Sequence, residues 1–366
     1  MTTKKERDSN LELLRILTMF FIVAHHYVVN SGLTNQNVIF SDPKSMKSVF
    51  LLLFGAWGKS GINCFVLFSG FFMCKSKITL KKFLKLFLEY KFYQIIIYFI
   101  FLITKYIEFD IIDFAKEVIP IYNISGNFTS CYLVFFLVIP FLNILVNNMN
   151  ERQHILLLIW CFFVYVVLGT LPGFYIKMNY ASWFIVLYLL SSYIRIYPKK
   201  IFDNIKFWCI ASIASISLSA ISVVLLNFLF NGEFFYEFVE DSNTFLAVCV
   251  GLSLFMYFKN IKIKNNKTIN KIASTTFGIL CIHACSDTMR QWLWKDLLNN
   301  IGAYFTGYVY LHAICSVFGV FVICSCIDLL RQKFIEKPFF LWFDEKEDKI
   351  ILFYKKCEKK ILSYIK

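Results

Sequence analysis

The chain lacks the signatures that mark most soluble enzyme classes. It has no Gly-x-Ser-x-Gly nucleophile elbow, no Walker phosphate loop, no His-Glu-x-x-His zinc motif and no Gly-rich dinucleotide turn. Serine hydrolysis on an elbow, nucleotide hydrolysis, zinc proteolysis and nicotinamide redox chemistry therefore have no sequence support. Charge is scarce, at 17% of residues. The 12 cysteines form no disulfide framework. Cys64, Cys161, Cys209, Cys249, Cys281, Cys315 and Cys324 lie inside apolar runs, where the thiol behaves as a small hydrophobe. Cys281/Cys285 and Cys324/Cys326 lack further partners at zinc spacing, so neither a metal nor a bound cofactor is expected. No small-residue cleavage site follows the first apolar run, which reads as a retained span and not a signal peptide. No internal repeat is visible, which weakens a transporter built from inverted halves.

What the chain has instead is hydrocarbon. Of its 366 residues 58% are hydrophobic, with 43 Phe and 20 Tyr, and the mean hydropathy is +0.62. Soluble domains carry about 45–50% apolar residues. The formal charge is +14, with a pI near 9.1. Lys and Arg fall between apolar spans and form no single patch, so the basic excess reads as membrane topology and not nucleic-acid binding.

A crossing helix needs about 20 apolar residues. Ten stretches qualify, near 11–31, 49–74, 86–106, 127–147, 154–171, 181–197, 207–230, 244–258, 272–290 and 304–327. Gly55, Gly58, Lys59 and Gly61 interrupt the second and predict a break there, and 107–126 is semi-polar and predicts an interfacial helix. Numbering the loops from a cytoplasmic N-terminus puts the lysines of 75–85 and 259–271 and the basic C-terminus inside, and the acidic 233–241 loop outside. The expected fold is an all-α polytopic bundle of about ten transmembrane helices in a cell membrane, both termini cytoplasmic. Residues 1–343 form the membrane domain, and 344–366 a basic amphipathic tail on the anionic inner leaflet. The chain is expected to carry no large extracytoplasmic domain. Sequons at Asn123 and Asn127 are short matches and carry no weight.

Four polar groups stand out against this background. The first span holds Glu12, Arg15, His25 and His26. Arg15 and His26 are eleven residues apart, about three turns, so both project from one face with roughly 16 Å of rise between them. An ionisable side chain at that depth is a functional candidate by default, and imidazole suits proton transfer near neutrality. The alternative is a histidine that only ties helices together. The second group is GKSGINCFVLFSGFFM, residues 58–73, where Lys59 and Asn63 are the polar exceptions. Lys59 either faces a polar cavity or extends to the outer surface. The third is the lysine run with Lys75, Lys81, Lys82 and Lys85. It is either plain topology signal or an electrostatic site for a phosphorylated donor. The fourth is residues 273–294, with His283, Asp287 and Arg290. These form either a structural pair or part of a polar cavity facing His26.

At these positions the chain resembles acyltransferase family 3, membrane enzymes that O-acylate polysaccharides and other extracytoplasmic acceptors. NLELLRILTMFFIVAHH resembles the opening motif, with Glu12, Arg15 and His26 in the motif places and His25 beside them. The 58–73 segment resembles Gly-Val-Asp…Phe-x-Leu-Ser-Gly-Phe, with Asn63 where the acidic residue usually stands. STTFGILCIH resembles the late Ser-Tyr-Gly-Ile-Tyr-Leu-x-His segment and ends at His283, and IEKPFF resembles the closing Glu-x-Pro motif at Glu336 and Pro338. Lysines replace the arginines that often follow the second span.

The resemblance implies acyl-CoA, most often acetyl-CoA, as co-substrate from the cytoplasmic side, and a polysaccharide or lipid-linked glycan as acceptor. It implies His26 as base or acyl carrier, supported by His25 and Glu12. Arg15, Lys75, Lys81, Lys82 and Lys85 would hold CoA phosphates. His283 would orient the acceptor or stabilise the oxyanion, with Lys59, Asn63, Asp287 and Arg290 as acceptor contacts. A polysaccharide or lipid-linked sugar transporter without transferase chemistry is the alternative, and a catalytically silent scaffold is a third.

Overall fold

The computed structural model describes residues 8–119, 128–171, 173–174 and 178–346. The sequons and most of the basic tail lie outside them. Among the described residues all regular structure is helical. The first helix, α1 (Ser9–Val29), is followed by α2 (Met46–Gly55), α3 (Gly58–Met73), α4 (Leu80–Ile103) and the short amphipathic α5 (Ile111–Val118). Then come α6 (Phe128–Asn148) and α7 (Glu151–Phe162), which continues through a wider π-turn to Thr170. The remainder are α8 (Tyr180–Ile196), α9 (Ile205–Leu229), α10 (Phe245–Asn260), α11 (Lys267–Ala273), α12 (Thr276–His283), α13 (Asp287–Gln291), α14 (Asn300–Tyr304) and α15 (Val309–Arg331).

Helix starts follow local chemistry. Ser45, Thr79 and Asn204 each accept a backbone N–H of the first turn of α2, α4 and α9, and Asn150 and Gln153 close a reciprocal capping box on α7. Seven helical stretches among the described residues are long and apolar enough to cross a membrane. α8 and α10 are shorter apolar helices.

The stretch 272–290, expected as one span, is instead divided among α11, α12 and α13. The cause is a run of hydroxyls that bond back to the chain. Ser274 Oγ donates to Lys271 O at 2.7 Å, Thr275 Oγ1 to Ile272 O at 2.7 Å, and Thr276 Oγ1 to Ala273 O at 2.9 Å. Ser286 then caps α13 by accepting the Met289 N–H. The break predicted in the second stretch lies between α2 and α3, and the interfacial helix predicted in 107–126 is α5.

α1 is the hub. It packs against α2, α3, α10, α11, α12 and α15. Its contact with α3 is close because glycines face it. A Cβ on Gly61 would lie 2.9 Å from the Thr18 carbonyl oxygen, and one on Gly58 2.3 Å from the His25 Cβ. α7 and α9 sit outermost, with Trp160, Ile210 and Ile213 exposed as lipid-facing side chains.

Candidate active site

The two adjacent histidines of α1 point to different neighbours. His25 is buried, and its Nδ1 lies 2.7 Å from Gly55 O, an acceptor only, so this nitrogen carries the proton. The ring fills the space left by Gly58. His25 thus ties α1 to α2 and α3.

His26 turns toward α12. Its Nδ1 lies 2.9 Å from His283 Nε2, and His283 Nδ1 lies 2.6 Å from Ile279 O. These contacts fix the tautomers. Ile279 O can only accept, so His283 Nδ1 carries hydrogen and neutral His283 Nε2 accepts. His26 Nδ1 must then donate, which leaves His26 Nε2 with a free lone pair. His283 is fully buried, whereas His26 lines a chamber of about 110 Å³ with Ile62, Phe128, Tyr180, Leu280 and Arg290. A chamber of this size holds a small reacting group and not a whole substrate.

Three turns along α1, Arg15 lines a second cavity of about 290 Å³, with Lys82, Lys85, Ser69, Tyr132 and Phe277. Its guanidinium bonds Glu12 at 2.9 Å and Thr276 Oγ1 at 3.0 Å, and sits over the Phe68 and Phe65 rings at 5.2 and 5.6 Å. Cations at one end and aromatic walls beyond them suit a ligand with a phosphorylated head and a slim apolar arm.

The same four helices, α1, α3, α6 and α12, line both cavities. An aromatic layer separates them. Tyr132 lies 5.8 Å from Phe65, 5.9 Å from Phe128 and 6.2 Å from Phe277, and shares a 2.7 Å hydrogen bond with Ser69 Oγ. The basic cavity and the His26 chamber thus follow one another along the same face of α1, with the aromatic layer between them.

Next to the chamber lies a wider cleft of about 600 Å³, bounded by α4, α5 and α13. Arg290 lines cleft and chamber alike, and pairs with Asp287 at 2.6 Å. Burial pushes the carboxyl of Glu117, on α5, above its ordinary range.

Other residues singled out by sequence lie elsewhere. Asn63 is fully buried; it donates to Ser242 O at 2.7 Å and Ala247 O at 3.1 Å, and accepts from Trp183 Nε1 at 2.9 Å. Its polar atoms are thus engaged in holding α3 to α8 and α10. Lys59 donates to Tyr180 OH at 3.0 Å and to Asp241, in the acidic loop, at 3.2 Å, so it stands behind the chamber wall. The lysine run divides: Lys82 and Lys85 line the Arg15 cavity, Lys81 pairs with Asp344, and Lys75 borders a separate cavity against α6.

Of one ion cluster, built on Arg331, only Glu336 stands out in the sequence. Arg331 hydrogen-bonds Asp328 at 2.7 Å and Glu336 at 2.9 Å and forms an ion pair with Glu89 at 3.1 Å, and Glu336 also meets Lys85 at 2.5 Å. The available signal was charge inside or just beyond apolar spans, at Glu89, Asp328 and Arg331.

The family model for an acyltransferase domain, that of acyltransferase family 3, matches residues 8–329. The chain belongs to acyltransferase family 3. No curated protein and no solved structure matches it. The family match runs from the start of α1 almost to the end of α15, and so includes both cavities and the whole His26–His283 pair. Glu336 lies just beyond it, joined to it through Arg331.

Proposed function

We propose that this acyltransferase moves an acyl group, most simply acetyl, from acyl-CoA to a hydroxyl of a surface polysaccharide or lipid-linked sugar. The observation that carries the reading is the His26 lone pair, set by the His283 and Ile279 contacts and presented at a chamber in line with a basic cavity. The donor enters at the basic end. Arg15, Lys82 and Lys85 take its phosphates, and its pantetheine arm passes the Tyr132 layer, so that the thioester reaches His26. The acceptor hydroxyl approaches from the wider cleft. Its oxygen attacks the thioester carbon as His26 Nε2 takes its proton; the C–S bond then breaks, and the imidazolium returns the proton to the leaving CoA sulfur. The products are an ester and free CoA. His283 holds the productive tautomer as a positioning residue.

In this reading the basic end is cytoplasmic and the cleft faces outward across a cell membrane. The seven long helices, the two shorter ones and the broken 267–297 segment give ten crossings, with both termini inside. The chemistry is transfer of a group other than aminoacyl.

Release of CoA by membranes holding the protein, and loss of acyl esters from surface glycans when its gene is deleted, test the reading together. Unchanged glycan mass spectra would remove it. Two variants probe the parts. Arg15→Met, made with Glu12→Gln so that no lone carboxylate remains, should raise KM for acyl-CoA about 10- to 100-fold, the worth of one or two charge-assisted hydrogen bonds. An unchanged KM would move the donor elsewhere. His283→Phe should lower kcat about 10- to 100-fold, because the His26 tautomer is no longer set, and should leave KM for acyl-CoA unchanged. A matching rise in KM would mark His283 as a donor contact instead.

A further inference from the structure

A second, apolar feature is not used by the reaction above. α4 and α15 both pack on α12 and leave between them a groove of about 470 Å³. Ile96, Ile97, Ile327 and Leu330 typify its walls. The two polar residues that border it spend their polar atoms elsewhere. Tyr93 OH donates to Asp328 at 2.8 Å, and the Arg331 guanidinium donates to Asp328 and Glu336 and forms an ion pair with Glu89. The groove therefore presents only hydrocarbon.

It borders the polar cleft. Phe101 lines both volumes and packs edge-on to Trp292 at 5.8 Å. The cleft in turn reaches the His26 chamber at Arg290. Groove and cleft are thus neighbours across Phe101, and cleft and chamber are neighbours across Arg290. The cleft offers Gln94, Ser286 and Thr288 as hydrogen-bonding groups. Tyr98, only 8% exposed, also lines it, and its buried hydroxyl has no hydrogen-bond partner. A buried phenol without a partner is costly unless a ligand completes it.

The charge of the cleft narrows the ligand. Its two cations are already paired, Lys116 with Asp113 at 2.6 Å and Arg290 with Asp287 at 2.6 Å. Glu108 and Glu117 add further carboxyls to the lining. The buried Lys91, whose ammonium donates to Glu117 O at 2.7 Å, adds a third cation behind the lining, so the ionised carboxylates Glu108, Asp113, Glu117 and Asp287 still leave a net negative charge that disfavours a phosphate or uronate head.

We infer that the acceptor is a glycolipid whose sugar head carries no net negative charge. Its hydrocarbon lies in the α4–α15 groove, its sugar in the cleft against Tyr98, and one hydroxyl reaches past Arg290 to His26. This deepens the transferase reading and rests on it. A free polysaccharide makes no use of the groove, and an ordinary anionic phospholipid places its phosphate against the carboxylates.

The test uses the full chain in nanodiscs with three diazirine probes: a dodecyl β-glucoside, the same glucoside without the chain, and a phosphatidylglycerol. The dodecyl glucoside should label peptides of α4 and α15 at least tenfold more than either other probe. Ile96→Trp combined with Ile327→Trp, which fills the groove, should abolish that excess. It should also cut acyl transfer onto native membranes at least tenfold, with KM for acyl-CoA unchanged. Ile144→Trp, on a lipid-facing surface of α6, controls for the added indole and should change neither. Equal labelling by phosphatidylglycerol, or transfer indifferent to groove filling, overturns the inference. CoA release by the unaltered protein is read separately, and its absence overturns the transferase assignment itself.

Discussion

Arg331→Ala should destabilise the protein by about 3–5 kcal/mol, the cost of breaking a buried ion cluster from one side. Arg331 is 6% exposed and faces three carboxylates, those of Glu89, Asp328 and Glu336. Asp328 is fully buried and also accepts from Tyr93 OH at 2.8 Å and Gln332 Nε2 at 2.7 Å. It cannot retreat, because its carboxylate lies against the bare Cα of Gly278; a Cβ there would come within 2.3 Å of it. Without the guanidinium, three acidic groups crowd a region with little water. Lys at this position restores charge but not the three-way fork, so Arg331→Lys should fall between the two. Thermal unfolding and monodispersity in detergent check the order. An alanine variant as stable as the parent would show that the cluster is hydrated or neutral. The same cluster holds Lys85 through Glu336 at 2.5 Å, so its loss should also weaken donor binding where the protein still folds.

His26→Ala should lower acyl transfer by about 10²- to 10⁴-fold, the usual contribution of a positioned general base. His26→Asn is the sharper variant. Its amide can still donate toward His283, which preserves the helix contact, but it offers no basic nitrogen. Both should express and fold, since the α1–α12 interface also rests on apolar side chains such as Ile22 and Leu280. His25→Asn should do the opposite. His25 bonds Gly55 O and fills the space beside Gly58, away from the chamber, so its loss should reduce stability more than turnover.

The most legible part of the chain was α1. Charge and imidazole in an otherwise apolar helix are conspicuous, and the eleven-residue spacing puts Arg15 and His26 on one face of it, each lining a cavity. The lysine run was legible only as a group, because nothing local separates Lys82 and Lys85, which line the cavity, from Lys81, which meets Asp344 across the fold. The division of 272–290 was hidden for a different reason. Its hydropathy is continuous, and the break is made by hydroxyls whose partners include distant groups, Ser325 for Thr275 and Arg15 for Thr276. Asn63 looked like a ligand contact in a span, yet Trp183 and two remote carbonyls occupy it. Tyr132 could not be singled out among 43 Phe and 20 Tyr, although it lines the basic cavity and stacks on Phe128 of the chamber wall.

Imidazole rescue of purified His26→Ala in nanodiscs tests the role of the His26 nitrogen most directly. Removing the ring should enlarge the chamber enough to admit free imidazole beside His283. Transfer should fall to near background and return in part as imidazole is added, following the neutral base across pH. His26→Ala protein that transfers acyl groups at the parental rate without imidazole would contradict the account.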